Sequence, residues 1–185
     1  VSHRDALLGA SHAELHRAMR DGHPIDASSL DDTEYRGISL GLPAFIEKLS
    51  WKTFTKTFHR DPVTGHLRGW NVRMEQTGLD GPRVPKKRKG EIFTFGHYRV
   101  VASRGRAMPA PCDQGLLIDY GLGGNSPFDL MRVMRDPLVA LDRGSSEHLL
   151  GWSYAEIGAL RVGTPSFFLL ERAGPLGHRA FPARP

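Results

Sequence analysis

Nine histidines, twenty acidic residues and one cysteine supply the side chains from which this 185-residue chain could build a reactive site. His12 and His16 stand four apart with Glu14 between them. That spacing sets two imidazoles on one helical face, where they can share a metal ion. The order His-Ala-Glu-Leu-His departs from the metalloprotease signature, in which Glu directly follows the first His, and no metal is expected. His59-Arg60-Asp61 ends a run of threonines and phenylalanines just before Pro62. His59 there reads either as an acid or base at a barrel rim or as part of a plain turn. Asp119 lies inside Leu116-Leu117-Ile118-Asp119-Tyr120, where a carboxylate needs a partner or water. Arg73 and Arg99 are natural partners, and such a pair would orient a polar ligand headgroup or serve structure alone. Arg132, Arg135 and Asp136 offer an anion grip or surface ion pairs. Trp70, Trp152, Tyr98 and Tyr154 offer faces for a flat ligand, or plain core. Cys112, in Pro109-Ala110-Pro111-Cys112-Asp113, has no neighbouring base to activate it. Gly121-Leu122-Gly123-Gly124-Asn125-Ser126 matches neither GxGxxG nor a P-loop, and no Gly-x-Ser-x-Gly elbow is present. No cofactor is expected, and this glycine-rich loop reads as a mobile lip.

The elements that must position these residues are mostly short strands. Residues 4–20 carry Leu7, Leu8, Leu15 and Met19 on one face of a single amphipathic helix, stopped by Asp21-Gly22 and His23-Pro24. Residues 28–33 read as a polar linker. Strands are expected at 35–40, 51–59, 67–76, 91–103, 115–121, 138–142, 148–154 and 166–172, each rich in β-branched or aromatic residues and bounded by Gly, Pro, Asp or Ser. Residues 127–135 read as a short helix. Strands in series without intervening helices imply an antiparallel meander, which removes its exposed edges by closing into an up-and-down barrel. A half-open curved sheet is the alternative. The implied division is a helix and linker over 1–32, a barrel domain over 33–172 and a disordered tail over 173–185.

Alternation assigns faces on three strands. Trp70, Val72 and Met74 oppose Asn71, Arg73 and Glu75. On the strand at 91–103, Phe93, Phe95, His97, Arg99 and Val101 share a face. On that at 51–59, Trp51, Thr53, Thr55 and Thr57 oppose Lys52, Phe54, Lys56 and Phe58. Lysines ordinarily snorkel to water, so the Trp51/threonine face is expected inside and the lysine/phenylalanine face outside.

Tyr35-Arg36-Gly37, Trp51-Lys52, Phe54 with Lys56 and Phe58, and Gly69-Trp70-Asn71 resemble the opening of GXWXG-type small β-barrel proteins. The namesake position reads Leu49-Ser50-Trp51-Lys52-Thr53, without its glycines. Leu117 to Tyr120, Phe128-Asp129, Arg132, Arg135-Asp136, Leu149 to Gly151 and Ser166 to Arg172 are similar to the second half of that architecture. The resemblance spans about residues 33–172 and implies a lipocalin-like barrel with a cavity for a hydrophobic ligand. It carries no catalytic residues. The expected function is binding of a small hydrophobic or amphipathic molecule by Trp51, Trp70, Arg73, His97, Arg99, Asp119, Tyr120 and Trp152. An isomerase or cyclase using Asp119 or His97 as general acid or base in the same cavity is the competing reading.

Composition narrows the remaining classes. The net charge is +5, and Lys86, Lys87, Arg88 and Lys89 supply four of those charges. The basicity is therefore local. A Pro/Gly-flanked run of this kind reads as a solvated hairpin loop before a nuclear-import cluster or a nucleic-acid surface. No apolar run approaches ~18 residues, so no membrane-spanning helix is expected. A single cysteine excludes an intrachain disulfide. With no visible leader, the expected compartment is the cytoplasm.

Overall fold

A computed structural model describes residues 2–41 and 52–180. The chain is mainly β. Strands β1 (Thr33–Leu40), β2 (Thr53–Arg60), β3 (Leu67–Arg73), β4 (Lys87–Arg88), β5 (Glu91–Ile92), β6 (Thr94–Ala102), β7 (Leu116–Asp119), β8 (Met134–Ala140), β9 (His148–Ile157) and β10 (Leu160–Pro175) follow in order. Eight of them close an antiparallel barrel in the sequence β1-β2-β3-β6-β7-β8-β9-β10, with β10 returning to β1. Neighbours in sequence are neighbours in space, so the barrel is the up-and-down meander that the strand series implies. The expected strand at 91–103 is divided at Phe93. Its first two residues leave the barrel to pair with β4 as a hairpin. Lys89 and Gly90 both have positive φ, 54° and 85°, the backbone that a two-residue hairpin turn requires.

The first helix is not single. Helix α1 (His3–Leu8) and helix α2 (His12–Asp21) are separated at Gly9-Ala10. Ser11 starts the second by a capping box, in which its hydroxyl accepts from the Glu14 N–H and the Glu14 carboxylate accepts from the Ser11 N–H. That local satisfaction of orphan N–H groups outweighs continuing one helix through glycine. Both helices lie on the outside of the barrel. Leu7, Leu15 and Met19 join Ile38, Leu117, Val139, Leu150, Trp152, Phe167 and Leu169 in one buried cluster. Residues 28–33, expected as a linker, instead contribute to a 3-10 turn (Ala27–Leu30) and the start of β1. Leu30, fully buried, packs with Ile25, Tyr35, Phe58 and Leu67 and closes one end of the lumen. The segment at 127–135 holds only a 3-10 turn, Leu130–Val133, before β8.

The chain after residue 173 is not a free tail as far as it is described. Its strand continues to Pro175, the Leu176 N–H donates to the Asp32 carbonyl at 2.8 Å, and Ala180 is buried against Trp70, Val72 and Met74. Apolar Leu176 and Ala180 cover the outer wall that the tryptophan would otherwise expose.

The faces of β2 are the reverse of the expectation. Phe54, Lys56 and Phe58 point into the lumen, while Thr55 and Thr57 face a groove on the outer wall. Two glycines make this possible. A Cβ at Gly37 would meet Phe54 at 2.3 Å, and one at Gly151 would meet Phe168 at 2.1 Å. The glycines on β1 and β9 thus give the space that the two lumen phenylalanines fill.

Candidate functional site

The connections β3–β6, β7–β8 and β9–β10, with the last residues of β1 and the first of β2, lie at the end of the barrel opposite Leu30. Near that end the lumen holds a cavity of about 160 Å³ lined by Ser39, Phe54, Lys56, Asn71, Phe95, Tyr120, Met131, Asp136, Ser153, Ser166 and Phe168. Period-two alternation brings one side chain from nearly every wall strand to it.

Lys56 is its centre. The side chain is 1% exposed. Its ammonium donates to the Tyr120 hydroxyl at 2.8 Å and to Asp136 Oδ2 at 3.3 Å, and Tyr120 itself donates to that same oxygen at 2.9 Å. Four rings surround the ammonium. Its nitrogen lies 4.9 Å from the ring centres of Tyr98 and Phe168, 5.2 Å from Tyr120 and 5.9 Å from Phe54. Tyr98 donates its hydroxyl proton to the Thr57 carbonyl at 2.6 Å. Burial pushes Lys56 below the usual lysine range, against the pull of Asp136. Burial pushes the Tyr98 and Tyr120 phenols well above theirs, and the Asp136 charge adds to it. The arrangement is a closed relay of one cation, one phenol and one carboxylate, facing aromatic and serine walls.

Of the expected ligand residues, Tyr120 lines this cavity. Arg73 lies opposite Phe54 in the strand register, on the lumen parity of β3. Trp51 lies outside the described residues. The others are on the outer wall. Trp70 is buried under the C-terminal segment, with the His97 ring 6.1 Å away. Trp152 lies beneath α2, its ring 4.9 Å from His16, and donates to the Thr164 carbonyl. Arg99 pairs in register with Asp119. Asp119 is bound by Arg135 at 3.2 Å and accepts from the Gly121 N–H. Because side chains alternate along β7, placing Ile118 inside obliges Asp119 outside, and Tyr120, in the 3-10 turn that follows, returns to the lumen. The partner expected in Arg73 or Arg99 is supplied by Arg135, across the β7–β8 pair.

The other candidates also take structural roles. Glu14 caps α2, His12 hydrogen-bonds the Gly41 carbonyl, and His16 packs against Trp152 and Phe167. His59 pairs with Asp32 near the closed end. Asp61 accepts from the Val63 and Thr64 N–H groups, as a turn residue does. The glycine-rich loop is tied down rather than a free lip. Asn125, buried, bridges the His97 N–H, the His97 carbonyl and the Tyr120 carbonyl. A Cβ at Gly123 would fall 1.8 Å from the His97 carbonyl oxygen. Glycine is there for close approach.

Lys56 is the residue that sequence reasoning missed, and Asp136, expected in an anion grip or a surface ion pair, is instead buried opposite it. The signal for Lys56 was its place between Phe54 and Phe58 on one strand face, since a lysine flanked by aromatics at i±2 shares their burial. One cluster of a different kind lies on the surface. Ligand atoms of His3, Asp142 and His148 come within 4.8 Å of one another, a set that could hold a metal ion between α1 and the β8–β9 turn.

Two larger hollows lie outside the lumen. One, of about 360 Å³, separates β2 and β3 from the hairpin and C-terminal segments, and there Arg83 is paired with Glu34. The other, of about 640 Å³, is a shallow surface beside Phe128 and Leu130. The first joins Arg83 to Thr55 and Glu34, and the second is edged by the Asp119–Arg135 pair, but neither sets its polar groups within a ring of aromatic faces as the lumen does. No described helix is long and apolar enough to cross a membrane. No family model matches the chain, and no similar protein was found among curated proteins or solved structures.

Proposed function

We propose that the barrel binds a small amphipathic molecule in its lumen, with the apolar part against Phe54, Phe95, Met131 and Phe168 and the polar end at Lys56, Tyr120 and Asp136. The observation that carries this is the buried polar relay facing a cavity with aromatic walls. Ligand sites combine a mostly apolar lining with a few convergent polar groups. A second observation fits the same reading. Nine large apolar side chains are exposed among the described residues, and seven of them (Val84, Leu122, Phe128, Leu130, Ile157, Leu160, Val162) sit at the lumen end or in connections leaving it. The likeness to GXWXG-type, lipocalin-like barrels points to the same use.

The test is a fluorescence titration with N-phenyl-1-naphthylamine, whose phenyl ring matches the cavity in size while its naphthyl group stays at the open mouth. Wild type is expected to bind it, and Ser153→Phe, which fills the cavity from β9, to lose at least about tenfold in affinity while still unfolding in one cooperative melt. Equal binding by the variant refutes a lumen site. Mass spectrometry under native and then denaturing conditions adds the identity of any co-purifying molecule. An isomerase or cyclase reading would take its acid and base from Tyr120 and Asp136, because Asp119 and His97 are outside the lumen.

A further inference from the structure

The geometry points to aldehydes and ketones as the ligand class of this lumen, held as a Schiff base on Lys56. The inference rests on the reading that the lumen is the ligand site.

The charge inventory of the lumen selects the headgroup. Lys56 and Asp136 balance each other within one buried relay. Within the cavity lining, from which Arg73 farther along the same face of β3 is absent, an anionic headgroup would set a second negative charge beside Asp136 against a single cation. A cationic one would do the same to Lys56. Both leave an uncompensated charge in a site of low dielectric. The polar end must therefore be neutral, and a carbonyl is the neutral group that an amine converts into a bond.

The relay also supplies the proton traffic. Asp136 takes a proton from the Lys56 ammonium, directly or through the Tyr120 hydroxyl that bridges them. The freed lone pair adds to the carbonyl carbon, and the C=O π pair moves to oxygen. A proton passes from nitrogen to that oxygen and gives the neutral carbinolamine. The nitrogen pair then forms C=N as the C–O bond breaks. Asp136 returns its proton to the departing hydroxyl, which leaves as water. The balance is one ammonium and one carbonyl compound in, one protonated imine and one water out, with no oxidant or reductant.

The product keeps what held the lysine. The iminium carries the same single positive charge, opposite the same carboxylate and within the same ring of four aromatic faces. No buried charge is created or stranded by the reaction. Burial also keeps Lys56 below the ordinary lysine range, which favours the nucleophilic amine. The cavity, about 160 Å³, corresponds to roughly five water molecules at ~30 Å³ each. It accommodates a short carbonyl compound or the reactive end of a longer one.

The experiment uses the wild-type protein with hexanal and sodium cyanoborohydride at pH 7, followed by proteolysis and peptide mass spectrometry. Lys86, Lys87 and Lys89 are exposed in the same chain and serve as internal controls. A hexyl adduct on Lys56 forming about tenfold faster than on those lysines is the expected result, since exposed amines are almost wholly protonated at this pH. Displacement of bound N-phenyl-1-naphthylamine by hexanal is followed in parallel. Displacement without labelling of Lys56 overturns the covalent step and leaves the lumen as a ligand site. Neither displacement nor labelling, in a protein that binds no naphthylamine, overturns the lumen reading and this inference with it.

Discussion

Replacing Asp136 by Asn isolates the ion pair on which the site depends. The substitution keeps the shape and an oxygen acceptor for the Tyr120 hydroxyl, and removes only the charge that faces Lys56. The Lys56 ammonium, 1% exposed, is then left without a counter-charge. Orphaning one member of a buried pair costs about 3–5 kcal/mol. The proton chemistry of the lysine sets a ceiling on that cost. The variant can always fold with Lys56 as the neutral amine, and in the unfolded chain a lysine titrates near ~10.4. Giving up the proton therefore costs at most about 4.6 kcal/mol at pH 7, and about 1.9 kcal/mol at pH 9. The sign follows from proton counting. With Lys56 neutral in the fold and charged in the unfolded chain, the unfolded state binds the extra proton, so the variant gains stability as pH rises toward ~10.4. The assay is urea denaturation of both proteins at pH 7, 8 and 9. The deficit of Asp136→Asn is expected to be about 3–4.5 kcal/mol at pH 7 and to shrink by up to about 1.4 kcal/mol per pH unit. A deficit under ~1 kcal/mol at pH 7, or one that grows with pH, refutes the buried, paired ammonium at the heart of the site.

Further outcomes follow from other parts of the barrel. Asp119→Asn should cost about 1.5–3 kcal/mol through its lost charge-assisted bond to Arg135, and leave naphthylamine binding unchanged, as thermal melts and titrations would show. Gly151→Ala should drive Phe168 into the cavity, because the added Cβ would lie 2.1 Å from that ring. A loss of about 1–3 kcal/mol together with weakened probe binding is expected. Cys112, buried under the helices, has its thiol pushed up to about 11 by burial, from 9.0, so its thiolate at pH 8 should be about a hundredfold scarcer than an exposed cysteine's. Aromatic-disulfide labelling in the native state should be correspondingly slow and become fast in urea. The same thiol should contribute stability up to pH 9.0 that is lost as pH rises toward about 11, with Tyr98 and Tyr120 acting in the same direction above 10.0. Cys112→Ala should flatten the first part of that alkaline decline.

The architecture was legible in the chain because its determinants are local. Runs of β-branched and aromatic residues between Gly, Pro and Asp turns specify strands in series, and a series without crossovers closes most simply on itself. Boundaries moved where local chemistry competed. The Ser11–Glu14 capping box divided the helix, and the Lys89-Gly90 turn withdrew the start of the strand expected over 91–103.

Which strand face lies inside is a different kind of property. On β2 both faces are plausible by composition, and the lysine of the inner face argues for water. The decision depends on residues far along the chain. Asp136 on β8 supplies the counter-charge, Gly37 and Gly151 on β1 and β9 leave room for Phe54 and Phe168, and the 174–180 segment covers the outside. None of these is near Lys56 in sequence. A one-residue reversal of inside and outside exchanges every candidate on a strand. Asp119, His97, Trp70 and Trp152 therefore gave way to Lys56, Asp136 and Asn71, while Tyr120 kept its place. Sequence alone determined that this chain forms a meander of short strands and that its basic cluster belongs to a solvated hairpin. Only closure of the barrel, through contacts between distant strands, decided which polar groups are sealed together and so where its chemistry resides.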